Sequence, residues 1–178
     1  MAIRVLLIAF SIVLVVTADN VASRESSASD GRSNVRPVFE AVYREGWFIF
    51  REKKMAYKVF RDRKTWAEAD EACMSEGARL ASIHDEEEND FIRIIAGNIP
   101  DGIGYEDQIW IAGKKKKDGS WDWGDGSFWH YLNWSPGEPN NAEGREDCLQ
   151  LLAHPELNGK WNDYFCDAKL AFVCRKLW

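Results

Sequence analysis

Between residues 138 and 163 the sequence concentrates side-chain oxygens. Glu138-Pro139-Asn140-Asn141 comes first, Glu146-Asp147-Cys148 follows, and Lys160-Trp161-Asn162-Asp163 closes the stretch. One apolar run, Cys148-Leu149-Gln150-Leu151-Leu152, separates the two clusters. Carboxylates and amide carbonyls suit a hard cation: calcium takes 6 to 8 oxygens at about 2.3–2.6 Å. Glu138, Asn140, Glu146, Asn162 and Asp163 are the candidate ligands. No His or Cys stands among them, which argues against zinc, and His84, His130 and His154 lack zinc-ligand spacing. A solvated loop beside Pro and Gly has a similar composition, so spacing alone does not make a site. Cysteine placement adds to it, since Cys148 lies two residues after Glu146 and Cys166 three after Asp163. A bridge between them would clip both oxygen clusters together. A cis bond before Pro139, which costs only about 0.5–1 kcal/mol for X-Pro, would turn residues 138 and 140 toward one face.

Several elements must position this stretch. Thr65 followed by Glu68 is a capping box, and Trp66, Ala69 and Cys73 then share one helical face up to Gly77. Asp85 with Glu88 opens a second helix that buries Phe91, Ile92 and Ile95. Its acidic start, Asp85 to Glu88, complements the helix dipole better than it serves a metal. Aromatic and β-branched runs at 47–50, 56–60, 109–111, 121–123, 149–152, 159–161 and 171–173 read as strands. Helices first and short strands later make the class α+β. Most of the nine tryptophans, Trp66, Trp110 and Trp161 included, fall at core positions. Lys114 to Lys117 read as a solvated hairpin turn, with contact to anionic glycan as the sharper alternative. Asn133-Trp134-Ser135 matches a glycosylation acceptor, but Pro136 and a buried Trp134 predict low occupancy.

The chain has 178 residues, 46% hydrophobic and 29% charged, which fits one globular domain. Residues 1–18 carry one charge, Arg4, around an apolar run, and read as a secretory signal peptide cut after Ala18. No membrane span is then expected in the mature chain. Removing the leader takes away one of the 23 Lys and Arg and none of the 29 acids, so the net charge moves from −6 to −7. That balance argues against nucleic-acid binding, which needs clustered cations. Residues 19–46 are small and polar and read as a disordered segment. Val38, Ala41 and Val42 have helical spacing for a turn or two, without the heptads of a coiled coil, so oligomerisation stays open. Residues 47–178 form the domain. Four cysteines in a secreted chain imply two disulfides, with three pairings open.

Glu138-Pro139-Asn140, Trp161-Asn162-Asp163, Glu146 before Asp147-Cys148 and the order of the four cysteines resemble the C-type lectin carbohydrate-recognition domain. The similarity runs from about Trp47 to Trp178. Lys64 to Ala69, Leu80-Ala81-Ser82-Ile83, Glu87 to Ile92 and Ile109-Trp110-Ile111-Ala112-Gly113 add to it. The resemblance implies a C-type lectin-like fold with short antiparallel strands, a long calcium-binding loop and disulfides Cys73–Cys174 and Cys148–Cys166. It also implies that Glu138, Asn140, Glu146, Asn162 and Asp163 hold Ca2+ and bind sugar together. Acids accept the protons of a vicinal diol and amides donate to its oxygens, so each hydroxyl is satisfied. In the family the Glu-Pro-Asn form goes with mannose, N-acetylglucosamine and fucose, and Ala142 supplies no aromatic platform for galactose. An auxiliary calcium site would want acids where this chain has Asn141 and Lys114 to Lys117, so one ion is expected. The implied partners are glycans or glycoproteins with mannose-type terminal sugars, outside the cell.

Two rival readings follow from the same residues. A lectin-like module can bind a protein, lipid or mineral surface without sugar. A glycosidase would use Glu138 and Glu146 as an acid and base pair, but carboxylates that ligate calcium are poor proton donors, so no enzyme is expected.

Overall fold

The structure, a computed structural model, describes residues 4–8, 11–16, 39–44, 46–97, 108–153, 157 and 159–178. Ala18 and His154 lie outside these. Eleven strands join one sheet among the described residues. They are β1 (Arg4–Ile8), β2 (Ser11–Val16), β3 (Phe39–Arg44), β4 (Trp47–Phe50), β5 (Met55–Lys64), β6 (Arg79–Leu80), β7 (Gln108–Lys115), β8 (Trp121–Trp123), β9 (Glu146–Leu152), β10 (Trp161–Phe165) and β11 (Leu170–Leu177). Two helices, α1 (Trp66–Ser75) and α2 (Glu86–Gly97), complete the α+β arrangement. The sheet runs β1-β2-β3-β4-β5-β11-β7-β9-β10, with β6 on β11 and β8 on β7.

Two expectations change. Helical spacing at Ala41 and Val42 gives way to a strand, in which Val42, Tyr43 and Arg44 pair with Ile49, Phe48 and Trp47 of β4, while Val38 lies outside the described residues. Three apolar positions cannot nucleate a helix against its initiation cost, whereas Gly46 at φ +86° turns the chain into a hairpin. The strands are also not all antiparallel. β11 meets β7 in parallel, Ala171 beside Ile109 and Phe172 beside Trp110. β1 and β2 fall inside the stretch read as a leader, and residues 17–38 lie outside the described ones.

The core is one cluster between sheet and helices. Tyr57, Trp110, Trp161, Phe91, Phe172 and Ile92 are among its largest fully buried side chains. α1 starts as its capping box predicts: Glu68 N donates to Thr65 Oγ1 at 3.3 Å, and Thr65 N to Glu68 Oε2 at 3.0 Å. Trp66, Ala69 and Cys73 are buried on its inner face. Cys73 joins Cys174 and so ties α1 to β11. Closing a loop of 101 residues contributes on the order of 4–5 kcal/mol through the unfolded chain. α2 buries Phe91, Ile92 and Ile95 as expected, with Ile94 and Asn89 beside them. Asp85 caps it by accepting from Glu88 N at 2.9 Å. Glu88 does more than complement a dipole: buried, it accepts from Tyr57 Oη at 3.1 Å and His84 N at 2.7 Å. Neither helix is long and apolar enough to cross a membrane.

Candidate functional site

The oxygen-rich stretch begins in a loop, runs through β9 and ends on β10. β9 and β10 are antiparallel neighbours, with Asp163 opposite Leu149 and Tyr164 opposite Cys148. The second disulfide, Cys148–Cys166, closes that pair at a Cα separation of 5.1 Å. The loop before β9 is sewn to the start of β10 by main-chain bonds. Trp161 N donates to Asn133 O and Ser135 N to Trp161 O, each at 2.8 Å, and Glu138 N donates to Ser135 O at 3.0 Å. Trp161 is held from the other side as well, its indole donating to Asn89 Oδ1 of α2 at 2.8 Å. Asn89 Nδ2 in turn reaches Gly159 O at 3.2 Å. A Cβ at Gly159, where φ is +69°, would sit 2.8 Å from that nitrogen, so this approach requires glycine.

On this support the carboxylates face the loop backbone. The Glu138–Pro139 bond is cis. Asp163, fully buried, accepts from Asn140 N at 3.0 Å and from Asn141 N at 2.9 Å, one bond to each oxygen. Glu138 accepts from the same Asn140 N at 3.0 Å and from Asn140 Nδ2 at 2.9 Å. One backbone amide thus serves two acids. Burial first, and then the Asp163 carboxyl beside it, hold the Glu138 carboxyl above its ordinary range, against the hydrogen bonds from Asn140. Glu146, buried at the start of β9, accepts from Ala142 N at 2.7 Å. Its own N donates to Asn141 Oδ1 at 3.2 Å. Asn141 adopts the left-handed conformation at φ +50°, which Asn tolerates better than most residues.

The match to the family model for the lectin C-type domain spans residues 62–176. A C-type lectin of Micrurus corallinus is 39% identical over 124 residues, 68% of this chain and 76% of that one. The chain belongs to the C-type lectin family. Among solved structures, the cow C-type carbohydrate-recognition domain of CD23, determined in the presence of a GlcNAc2Man3 oligosaccharide, is 33% identical with a TM-score of 0.63. It covers 78% of this chain and 98% of its own. A calcium-independent type II antifreeze protein is 31% identical with a TM-score of 0.64, over 77% of this chain and 95% of its own. The matched family is one of lectin domains rather than of enzymes.

For this C-type lectin domain the five candidate ligands divide in three. Glu138, Asn140 and Asp163 converge around one amide. Glu146 joins them through Ala142 and Asn141. Asn162, half-buried opposite Gln150, makes no side-chain hydrogen bond among the described residues. No group of three or more His, Cys, Asp or Glu side chains stands close enough to hold a metal among the described residues. Residue order alone assigned Asn89 and Asn141 no positioning role, although Asn141 stands out as the second Asn of Glu-Pro-Asn-Asn. The lysine run disperses, with Lys114 over the Trp66 ring, Lys115 reaching from β7 to the Glu146 carbonyl of β9, Lys116 3.4 Å from Asp122 and Lys117 exposed. Asn133 is occupied in the folded chain, its Nδ2 donating to Gly159 O at 3.0 Å while Lys160 Nζ donates to its Oδ1 at 2.7 Å. The tryptophans pack mainly on one another: Trp123 lies 4.4 Å from Trp129 and 5.6 Å from Trp161, ring centre to ring centre.

Proposed function

We propose that this C-type lectin domain binds carbohydrate with one Ca2+ as cofactor, held by Glu138, Asn140, Glu146, Asn162 and Asp163, and that its ligands are mannose, N-acetylglucosamine and fucose-type glycans. The observation that carries the reading is the charge balance of the loop. Glu138, Glu146 and Asp163 are answered by backbone and side-chain amides. Among the described residues no Lys, Arg or His forms an ion pair with any of the three. Amides orient a carboxylate without neutralising it, and burial, followed by the neighbouring Asp163 carboxyl, holds Glu138 above its ordinary range. A donor set of carboxylate and amide oxygens fits a hard divalent cation. Bound there, calcium supplies positive charge and open coordination positions that two neighbouring sugar hydroxyls can fill. Glu138 and Glu146 accept the hydroxyl protons. Asn140 and Asn162 donate N–H to the hydroxyl oxygens, so a diol of the wrong arrangement leaves donors unpaired. The leader reading of residues 1–18, cut after Ala18, sends the domain outside the cell, and nothing in the site calls for catalysis.

Retention on a mannose column in millimolar calcium, and its loss in EDTA, tests the proposal. Retention that EDTA leaves unchanged overturns it. One observation favours a second reading, the likeness to a calcium-independent antifreeze protein. A domain that binds a surface without sugar would show no calcium uptake and no mannose retention in the same experiment.

A further inference from the structure

Resting on that calcium reading, we propose that Lys115 is a positioning residue for the metal site: its ammonium is a built-in cation that holds the Glu146 end of β9 in place of a second divalent ion. The need for such a tie comes from the sheet. Leu152, Leu151 and Gln150 of β9 pair with Gln108, Ile109 and Trp110 of β7, and the register then shifts before Lys114 meets Cys148. Gly113 lies in the gap, where a Cβ would stand 2.4 Å from Leu149 Cδ2, so the Leu149 side chain already fills the space over it. The paired residues end at Cys148, and Glu146 has no partner on β7. On its other side the β9–β10 ladder shifts between Tyr164 and Phe165, just where Phe165 meets Glu146. Both neighbouring ladders are therefore irregular at the residue that must present a carboxylate.

Lys115 reaches across that irregularity. Its Nζ donates to the Glu146 carbonyl at 3.3 Å and lies 3.8 Å from Asp147 Oδ1. The side chain is 16% exposed, so this is no freely waving surface lysine. Glu146 is then held by three handles: its N–H by Asn141 Oδ1, its carboxylate by Ala142 N and its carbonyl by Lys115. A carbonyl and a carboxylate meeting one cation are also the ligand types of a divalent site. The ammonium takes up that role with charge of its own and needs no free ion. Lys116 and Lys114 are engaged elsewhere, which singles out Lys115 within the run.

The test is calcium titration by calorimetry on the secreted chain, for wild type, Lys115→Met and Lys115→Arg, beside thermal unfolding in EDTA. Wild type should take up one equivalent. Lys115→Met should bind calcium about tenfold more weakly, with its melting temperature in EDTA little changed, because the lost charge-assisted bond orders the ligand rather than the core. Lys115→Arg should restore affinity to within about threefold, since a guanidinium can make the same bonds. Should Lys115→Met fail to fold, Asp147→Asn removes the exposed half of the contact and should weaken calcium by about twofold to threefold. Unchanged affinity in the variant that folds, or two equivalents in wild type, overturns the role given to Lys115 and leaves the calcium reading standing. Wild type that takes up no calcium sinks both.

Discussion

Asp70, Asp85 and Asp125 of the frame and the candidate ligand acids Glu138, Glu146 and Asp163 are satisfied in different ways, while Glu143 in the same loop pairs with Arg145 at 2.6 Å. In the frame, Asp70 receives a forked pair of bonds from Arg79, Nε to Oδ1 at 3.0 Å and Nη2 to Oδ2 at 2.8 Å, and Leu80 N adds a third. Asp85 is paired with Lys53. Asp125 lies 4.0 Å from Arg175 and accepts from Ser82 Oγ and Ser127 Oγ, each at 2.5 Å. Glu88 is buried without a cation, yet it is a single acid with a hydroxyl and an amide to itself. In the loop, by contrast, Glu138 and Asp163 divide one backbone amide between them. A carboxylate with its own Arg or Lys is neutralised within the chain and serves the fold. A carboxylate held only by amides is oriented but still charged, and it is the kind that an outside cation can use.

Substitutions can break that contrast from either side. The largest expected effect is at Asp163. Asp163→Asn puts an N–H₂ against one of two backbone donors in a fully buried place, at a cost of about 1–3 kcal/mol, and removes a ligand charge. Calcium affinity should fall by about a hundredfold or more, which at roughly 1.4 kcal/mol per tenfold is about 3 kcal/mol. Mannose retention should vanish with it. Wild-type retention by this variant would show that the loop acids do not serve a metal. The frame should respond in the opposite way. Arg79→Met leaves Asp70 without its fork and should cost about 1–2 kcal/mol of stability for a partly exposed pair, read as a lower melting temperature with calcium affinity unchanged. A loss of affinity at an unchanged melting temperature would erase the distinction between the two regions.

The smallest effect is the dependence on pH. Glu138 has a folded-state pKa above its ordinary 4.5, so the metal-free folded chain takes up a proton earlier than the unfolded chain as pH falls. In the window above 4.5 the metal-free domain should therefore gain slightly in stability on acidification. Calcium must displace that proton, so its affinity should decline over the same window. Titrations at stepped pH, paired with unfolding in EDTA, would show the two trends running in opposite directions. Calcium affinity that stays level through the window would remove Glu138 from the ligand set.

Much of this arrangement is legible in residue order, for reasons that stay local. Thr65 and Glu68 announce the start of α1 because both partners of the capping box lie within one turn. Glu138, Pro139 and Asn140 stand out because adjacent side chains meet whatever the remainder of the fold does. Ala41 and Val42 misled because, with Val38, they fit a helix by spacing, and only pairing with β4 decides for a strand over 39–44. Asp85 to Glu88 read as one acidic helix start, but the fold separates them: Asp85 caps, Glu87 lies 3.4 Å from Lys53 and Glu88 turns inward to Tyr57.

The amino-acid order by itself determined which chemistry was available: oxygen donors in two clusters, four cysteines, and an excess of acids over bases. Tertiary structure alone decided which of those acids meet a cation of the chain and which meet only amides. Asn89 stands 72 residues before Trp161 and Lys115 31 before Glu146, and contacts over such separations exist only once the sheet has closed. Whether a carboxylate meets a guanidinium or an amide depends on the strands that happen to lie beside it. That is a property of packing, which spacing along a chain does not carry.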